Sequence, residues 1–219
     1  MRLLLLRHGQ TDWNAAERYQ GRTDIELNAT GLQQAEDAAR RLAETDLHAV
    51  YASPLGRARR TAEIAVRDRG LDITLDDGLM ETAGRDWEGL TYAEISARWP
   101  QDFAAWRAAH PEHGPVGGET PGQAGLRVIR TLRGLVSAST PTQWCQHDDQ
   151  QVLVVAHGGC LRAATALLVG EGQSAAASYA SLERLQNGRM IVLEGEFGER
   201  DPGHEGGRQT SWRIADYNV

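Results

Sequence analysis

A chain of 219 residues, 41% hydrophobic and 24% charged, is long enough to bury one substantial core and too apolar for a disordered segment. All 23 basic residues are arginine, which excludes a Schiff-base lysine, a pyridoxal phosphate anchor and a Walker-type phosphate-loop lysine. The formal net charge of -7 argues against nonspecific nucleic-acid binding, and two cysteines, Cys145 and Cys160, are too few for a disulfide framework.

Residues 2–6 (RLLLL) are apolar but far too short for a signal-peptide core or a membrane span. They read instead as a central strand of a parallel sheet, and a cytoplasmic setting is expected. Thr30 is placed to cap a helix over about 31–44, with Leu32, Ala35, Ala39 and Leu42 on one face. Residues 48–52 (HAVYA) predict a second strand, followed by a helix with Ser53 as its cap and Gly70 as its stop. A short strand at 73–75 comes next, then one or two helices over 91–109 interrupted at Pro100. Residues 110–122 read as a Gly- and Pro-rich loop, and 123–138 as an amphipathic helix. Residues 151–159 (QVLVVAHGG) repeat the opening pattern of an apolar strand ending in His-Gly, with a helix over about 160–169 to follow. Asn187-Gly188, between runs at 181–186 and 189–194, predicts a hairpin; 198–209 reads as a polar excursion and 211–217 as a closing strand. The alternation implies a three-layer α/β sandwich: a largely parallel central sheet with helices on both faces, in a single domain spanning 1–219.

In such a fold, ligands sit beyond the carboxyl ends of the strands. His8 and His157 both fall there, His8 preceded by Arg7, and Arg57 faces the same rim from the start of the next helix. Two guanidiniums and two imidazoles around one point beside a helix N-terminus suit a tetrahedral dianion such as phosphate. A lone histidine at a strand end is usually structural, and the run Arg57, Arg59, Arg60 also reads as a solvated helix face. Trp13, Trp87, Trp99 and Trp106 read as packing residues rather than a substrate wall, and Asn14 as a turn residue.

LLLLRHGQTDWN at 3–14 resembles the RHG signature of the histidine phosphatase superfamily, the phosphoglycerate mutase-like proteins. YQGRTDIELNATGLQQA at 19–35, SPLGRARRTA at 53–62, LMETAGRDWEGLT at 79–91 and VVAHGG at 154–159 resemble the family's further motifs, in order. The resemblance implies the phosphoglycerate mutase-like fold, with 82–122 as a lid-like insertion. It implies His8 as nucleophile, Glu81 as proton donor, and Arg7, Arg57 and His157 as the phosphoryl clamp. Thr11, Asn14, Gln20, Gly21 and Gly158 add contacts in the phosphate pocket. Arg85 stands where the family usually has glycine; it is expected either to reach a second anionic group of the substrate or to point into solvent. No cofactor and no metal is implied, because arginine neutralises the phosphoryl charge.

The expected activity is hydrolysis of a small phosphorylated metabolite, a sugar phosphate or a phosphoglycerate-type ester, through a phosphohistidine. The segment 91–120 is shorter than a mutase insertion and has no lysine to grip a carboxylate, which favours phosphatase over mutase-type transfer. A non-catalytic phospho-ligand binder is the other alternative, disfavoured by retention of the acid. Other hydrolase classes lack their parts: there is no G-x-S-x-G elbow, neither cysteine is followed by arginine six positions on, and His110, His113, His147 and Asp148 are poorly spaced for metal. The expected partner is a small phosphorylated molecule, not nucleic acid or membrane; a homodimer is allowed.

Overall fold

The structure, a computed structural model, describes residues 1–138, 150–170, 175–197 and 212–219. Its described strands are β1 (Arg2–Arg7), β2 (Leu47–Ala52), β3 (Ile73–Leu75), β4 (Gln151–Ala156), β5 (Met190–Glu194) and β6 (Arg213–Tyr217). They form one sheet in the order β3-β2-β4-β1-β5-β6. β1, β4, β2 and β3 run parallel, and β5 lies antiparallel between β1 and β6. A one-turn helix, α1 (Asp12–Ala15), follows β1 and is closed by a capping box between Thr11 and Asn14.

Side chains alternate across a strand, so the continuous Leu run of β1 serves two cores. Leu4 and Leu6, with Val50, Leu153 and Val155, face α2 (Ala29–Arg41) and α3 (Gly56–Val66). Leu3 and Leu5, with Val152, Val154, Ile191 and Leu193, face α6 (Pro121–Ala138) and α7 (Gly158–Val169). Each of these four leucines is at most 6% exposed, and burying one contributes about 2 kcal/mol. The mixed sheet covered on both faces is the expected sandwich. Among the described residues, no helix is long and apolar enough to cross a membrane.

The segment 82–122 carries α4 (Tyr92–Arg98) and α5 (Pro100–Arg107), with Pro100 at the start of the second helix. Its aromatic residues make their own small core: Trp87, 0% exposed, packs edge-on against Tyr19 and Trp106 at 5.6 and 5.9 Å. Trp99 and Phe103 complete it. The polar excursion at 198–209, together with Cys145, His147 and Asp148, lies outside the described residues.

Several boundaries differ from expectation, each for a local reason. Asn28, not Thr30, caps α2: its side-chain oxygen accepts from Gly31 N at 2.9 Å. The helix expected over 53–70 begins only at Gly56, whose N–H is capped from a distance by Asp24 Oδ1 at 2.8 Å. That leaves the Ser53 hydroxyl to a different partner, described below. The predicted strand at 181–186 does not form. Its first residue ends a helix, α8 (Ala175–Ser181), and the rest runs irregularly into the Asn187-Gly188 turn. Both edges of β5 are already taken by β1 and β6, so no ladder position is left for a hairpin partner. The backbone of this stretch is satisfied otherwise, with Leu185 O accepting from Arg7 and Gln186 N donating to Asn218 Oδ1.

Candidate active site

Register brings the two histidines together. β1 and β4 are parallel neighbours with Arg7 opposite Ala156, so His8 and His157 leave the same edge side by side. Their ring centroids are 5.1 Å apart, and His8 N donates to Ala156 O at 3.0 Å.

His8 is 3% exposed, and its Nδ1 lies 2.6 Å from Gly9 O. A carbonyl can only accept, so Nδ1 carries the proton and Nε2 keeps its lone pair. Burial, followed by the charges of Arg57 and Arg7, holds the imidazole pKa well below its usual range. The ring is therefore neutral, with the Nε2 lone pair available.

Arg57 is 1% exposed, unlike its solvated neighbours Arg59 and Arg60. Its Nη1 and Nη2 donate to Thr23 O and Gly21 O at 2.8 Å each, and its Nε donates to His157 Nδ1 at 3.3 Å. Because His157 Nδ1 accepts, the ring proton resides on Nε2 and is donated to Ser53 Oγ at 2.8 Å. Burial and then Arg57 hold His157 well below the usual histidine range as well. His157 thus stands behind Arg57 and does not line the cavity, so in this arrangement it orients the guanidinium rather than presenting a donor to a ligand. Arg7 donates from Nη1 to Leu185 O at 2.7 Å and is pushed down to about 10 by burial and then by Arg184, still cationic at neutral pH. Its side chain lies flat on Gly158, where a Cβ would stand 3.0 Å from Nε.

Glu81 sits at the N-terminus of α7. Its Oε2 accepts from Gly159 N, and its Oε1 from Cys160 N and Thr82 N, all at 3.0 Å. Arg22 and Arg127 both donate to Glu81 O, and both pair with Glu119, which fixes the backbone of this acid. Glu88, the competing acid, is consumed in structure: it accepts from the backbones of Arg22, Thr23 and Gly84. Glu94 is spent in the capping box of α4.

Asn14 and Gln20 line the cavity. Asn14 Oδ1 accepts from Thr11 N, Thr11 Oγ1 and Asn187 Nδ2, and Gln20 Oε1 accepts from Thr11 Oγ1 at 2.9 Å. Thr11 itself is 0% exposed and lies outside the cavity lining; it orients its two neighbours. Gly21, at φ 54°, turns its carbonyl onto Arg57, and a Cβ there would collide with Glu88. Asn187, which the sequence marks only as half of a hairpin turn, also donates to His8 O and Gly9 O and so braces the His8 loop.

Arg85 is not brought to the site. It is exposed on a turn at φ 47°, outside the cavity lining, a backbone angle that glycine adopts more easily. The cavity, about 350 Å³, is instead lined by residues that include Arg7, His8, Arg57, Glu81 and Gly158. Arg18, Tyr92, Trp106, Arg107, Arg162, Tyr179 and Arg184 form its walls, and sequence reasoning assigns none of them a ligand contact. For Arg162 a signal exists, since it falls four residues after Gly158 on the same helix face. Trp106 combines the two readings of the tryptophans, packing in the aromatic cluster and lining the cavity. Among the described residues no three His, Cys, Asp or Glu side chains gather as a metal-ligand cluster. His110 and His113 lie edge to face in the loop after α5, with ring centroids 5.9 Å apart.

Two buried neutral histidines make stability depend on pH. In the unfolded chain each is an ordinary imidazole near 6.5, so below about that pH the unfolded state takes up protons that the folded state refuses. Their contribution is whole above about pH 6.5 and falls as pH drops, until the depressed folded pKa is reached. The slope approaches about 1.4 kcal/mol per pH unit for each histidine. Urea unfolding at pH 7.5 and 5.5 should register this loss, and His157→Asn should flatten it. A variant with the wild-type slope would remove His157 from the account.

Comparison with known proteins gives a consistent picture. Residues 3–201 match the model of the histidine phosphatase superfamily, branch 1. A glucosyl-3-phosphoglycerate phosphatase of Mycolicibacterium vanbaalenii is 35% identical, over 100% of this chain and 94% of that protein. Phosphoserine phosphatase 1 of Hydrogenobacter thermophilus is 28% identical, over 89% of this chain and 91% of that protein. Among solved structures, a mycobacterial glucosyl-3-phosphoglycerate phosphatase in complex with VO3 is similar, with a TM-score of 0.84 and 33% identity, covering 100% of this chain and 98% of that one.

Proposed function

Because the chain belongs to the histidine phosphatase superfamily and is a phosphoric monoester hydrolase, we propose that it hydrolyses a small phosphorylated metabolite through a phosphohistidine on His8. The observation that carries this reading is the setting of His8: its Nδ1 lies 2.6 Å from Gly9 O, which leaves Nε2 its lone pair, and Arg7 and Arg57 line the same cavity.

In the first step Nε2 attacks phosphorus in line with the ester oxygen. The N–P bond forms, the P–O bond breaks, and the leaving alkoxide takes a proton from Glu81. In the second step Glu81 takes a proton from water, the hydroxide attacks phosphorus, and phosphate leaves with His8 regenerated. The remaining N–H bonds of Arg7 and Arg57 hold the equatorial oxygens, aided by the amides of Asn14 and Gln20 and the backbone of Gly158. His157 keeps Arg57 aimed. The segment 82–122 acts as a lid-like wall, and its Tyr92 and Trp106 offer an apolar rim to a sugar.

The relatives named above make a glycosylated phosphoglycerate the first substrate to try, with phosphoserine next. A phosphate-release screen over these, free phosphoglycerates, sugar phosphates and nucleotides, run with and without a chelator, tests the reading. Turnover insensitive to the chelator is expected. Tight phosphate binding without turnover of any ester would make the protein a binder, and preferential transfer to an added glycerate over water would make it a mutase.

A further inference from the structure

We propose that Arg162 and Arg184 form a second anion subsite in the His8 cavity, and that it takes a carboxylate carried on the same substrate as the phosphoryl group. The proposal rests on the phosphatase reading above and names the residues that would select its substrate.

Charge balance is the first argument. Arg7, Arg18, Arg57, Arg107, Arg162 and Arg184 line the cavity, against Glu81 as the single carboxylate among the described lining residues. A phosphoryl dianion and Glu81 supply three negative charges for six cations. Arg18 is partly answered by Glu94 at 3.8 Å and by Gly89 O, which leaves Arg107, Arg162 and Arg184 without an anion among the described residues. That much positive potential focused in one concavity favours a ligand that brings further negative charge.

Geometry is the second. The Arg162 guanidinium is fixed in advance: Nη2 donates to Tyr179 O at 2.8 Å, and its carbon lies 4.3 Å from the centroid of the Tyr179 ring. Its Nε is buried and has no acceptor among the described residues. Held in this way by Tyr179, the guanidinium keeps its charge at the cavity wall. Arg184 comes from the irregular run before the Asn187-Gly188 turn, anchored next door by Arg7 on Leu185 O. Its side chain lines the same cavity as Arg7 and Arg57.

The two arginines thus share the wall of a cavity of about 350 Å³, more room than a phosphate alone needs. Planar guanidinium forks match a carboxylate through paired N–H bonds. Arg85, the candidate that the sequence offers for this task, is exposed and off the cavity wall.

The test compares 3-phosphoglycerate with glycerol 3-phosphate, which differ only in a carboxylate replaced by a hydroxymethyl group. The wild type, Arg184→Ala, Arg162→Met and the control Arg85→Ala are assayed on both. Each subsite variant should lose at least about tenfold more kcat/KM on 3-phosphoglycerate than on glycerol 3-phosphate, chiefly through KM. Arg184→Lys should recover part of the difference, and Arg85→Ala should keep the wild-type ratio. Arg184 is exposed, so its variants carry the test even if Arg162→Met fails to fold. Equal losses on the two esters would overturn the subsite and leave the phosphatase standing. A selectivity change confined to bisphosphate esters would replace the carboxylate by a second phosphate and overturn the assignment. Failure of the wild type on both esters and on p-nitrophenyl phosphate would overturn the subsite and the underlying reading together.

Discussion

His8→Ala should lower kcat/KM on phosphate monoesters by at least about three orders of magnitude, with inorganic phosphate still bound. On the proposed reading His8 is the nucleophile, and its neighbours Cys160, Glu81 and His157 are poorly placed to replace it. Cys160 is 0% exposed and its thiol is pushed up, chiefly by burial, so it stays protonated at neutral pH. The oxygens of Glu81 are held by three backbone N–H groups at the start of α7 and in its own loop. His157 has one nitrogen on Arg57 and the other on Ser53. The residual rate in the variant would come from direct attack of water on a phosphoryl group still gripped by Arg7 and Arg57, whose backbone partners do not involve the His8 ring. The mechanism adds a chemical signature. Rapid acid quench is unsuitable, because a phosphoramidate is acid-labile. Alkaline quench of the wild type during turnover of a labelled ester should leave label on His8, stable to base and lost in acid, and none in the variant. Hydrolysis at full rate with an unlabelled His8 would end the covalent route.

What is legible in the sequence is what is local in the chain. The Leu run of β1 and the Val run of β4 are short, apolar and followed by His-Gly, and that pattern alone puts His8 and His157 at strand ends. That the two strands are neighbours in register follows from topology, which the ordered motifs make expected. The differences share one physical cause: a polar residue with two possible partners is assigned, on sequence, to the nearby one. Ser53 reads as a helix cap, but the imidazole of His157, more than 100 residues away, claims its hydroxyl. Asn187-Gly188 carries a strong hairpin signal. The turn forms, but its amide braces the His8 loop because β5 has no free edge. Thr11 reads as a pocket contact, yet its hydroxyl lies one layer behind, holding Asn14 and Gln20. The sequence singles out Arg85 and passes over Arg184, and only the path of the backbone decides which of them faces the cavity.

Glu81→Gln should split the two chemical steps by leaving group. An alkyl ester expels a strongly basic alkoxide that needs a proton, and losing the general acid should cost about 10²–10⁴-fold in kcat. p-Nitrophenolate is stable without a proton, so phosphorylation of His8 by p-nitrophenyl phosphate should slow by no more than about tenfold. The second step still lacks its base, since water must be deprotonated by the same carboxylate. Phosphohistidine should then accumulate, and the time course should show a burst of nitrophenolate close to one per enzyme before a slow steady state. The substitution itself is mild but not silent. The amide oxygen of the variant can keep Thr82 N and Cys160 N, whereas the new NH2 would meet the Gly159 N–H that Oε2 now accepts, a clash of donors costing about 1–3 kcal/mol locally. Arg22 and Arg127 hold Glu81 by its carbonyl, which the change leaves intact, so the loop should stay in place and thermal unfolding should fall only modestly. A variant slowed equally on both esters, with no burst, would mean that Glu81 serves the site by anchoring α7 and not by moving protons.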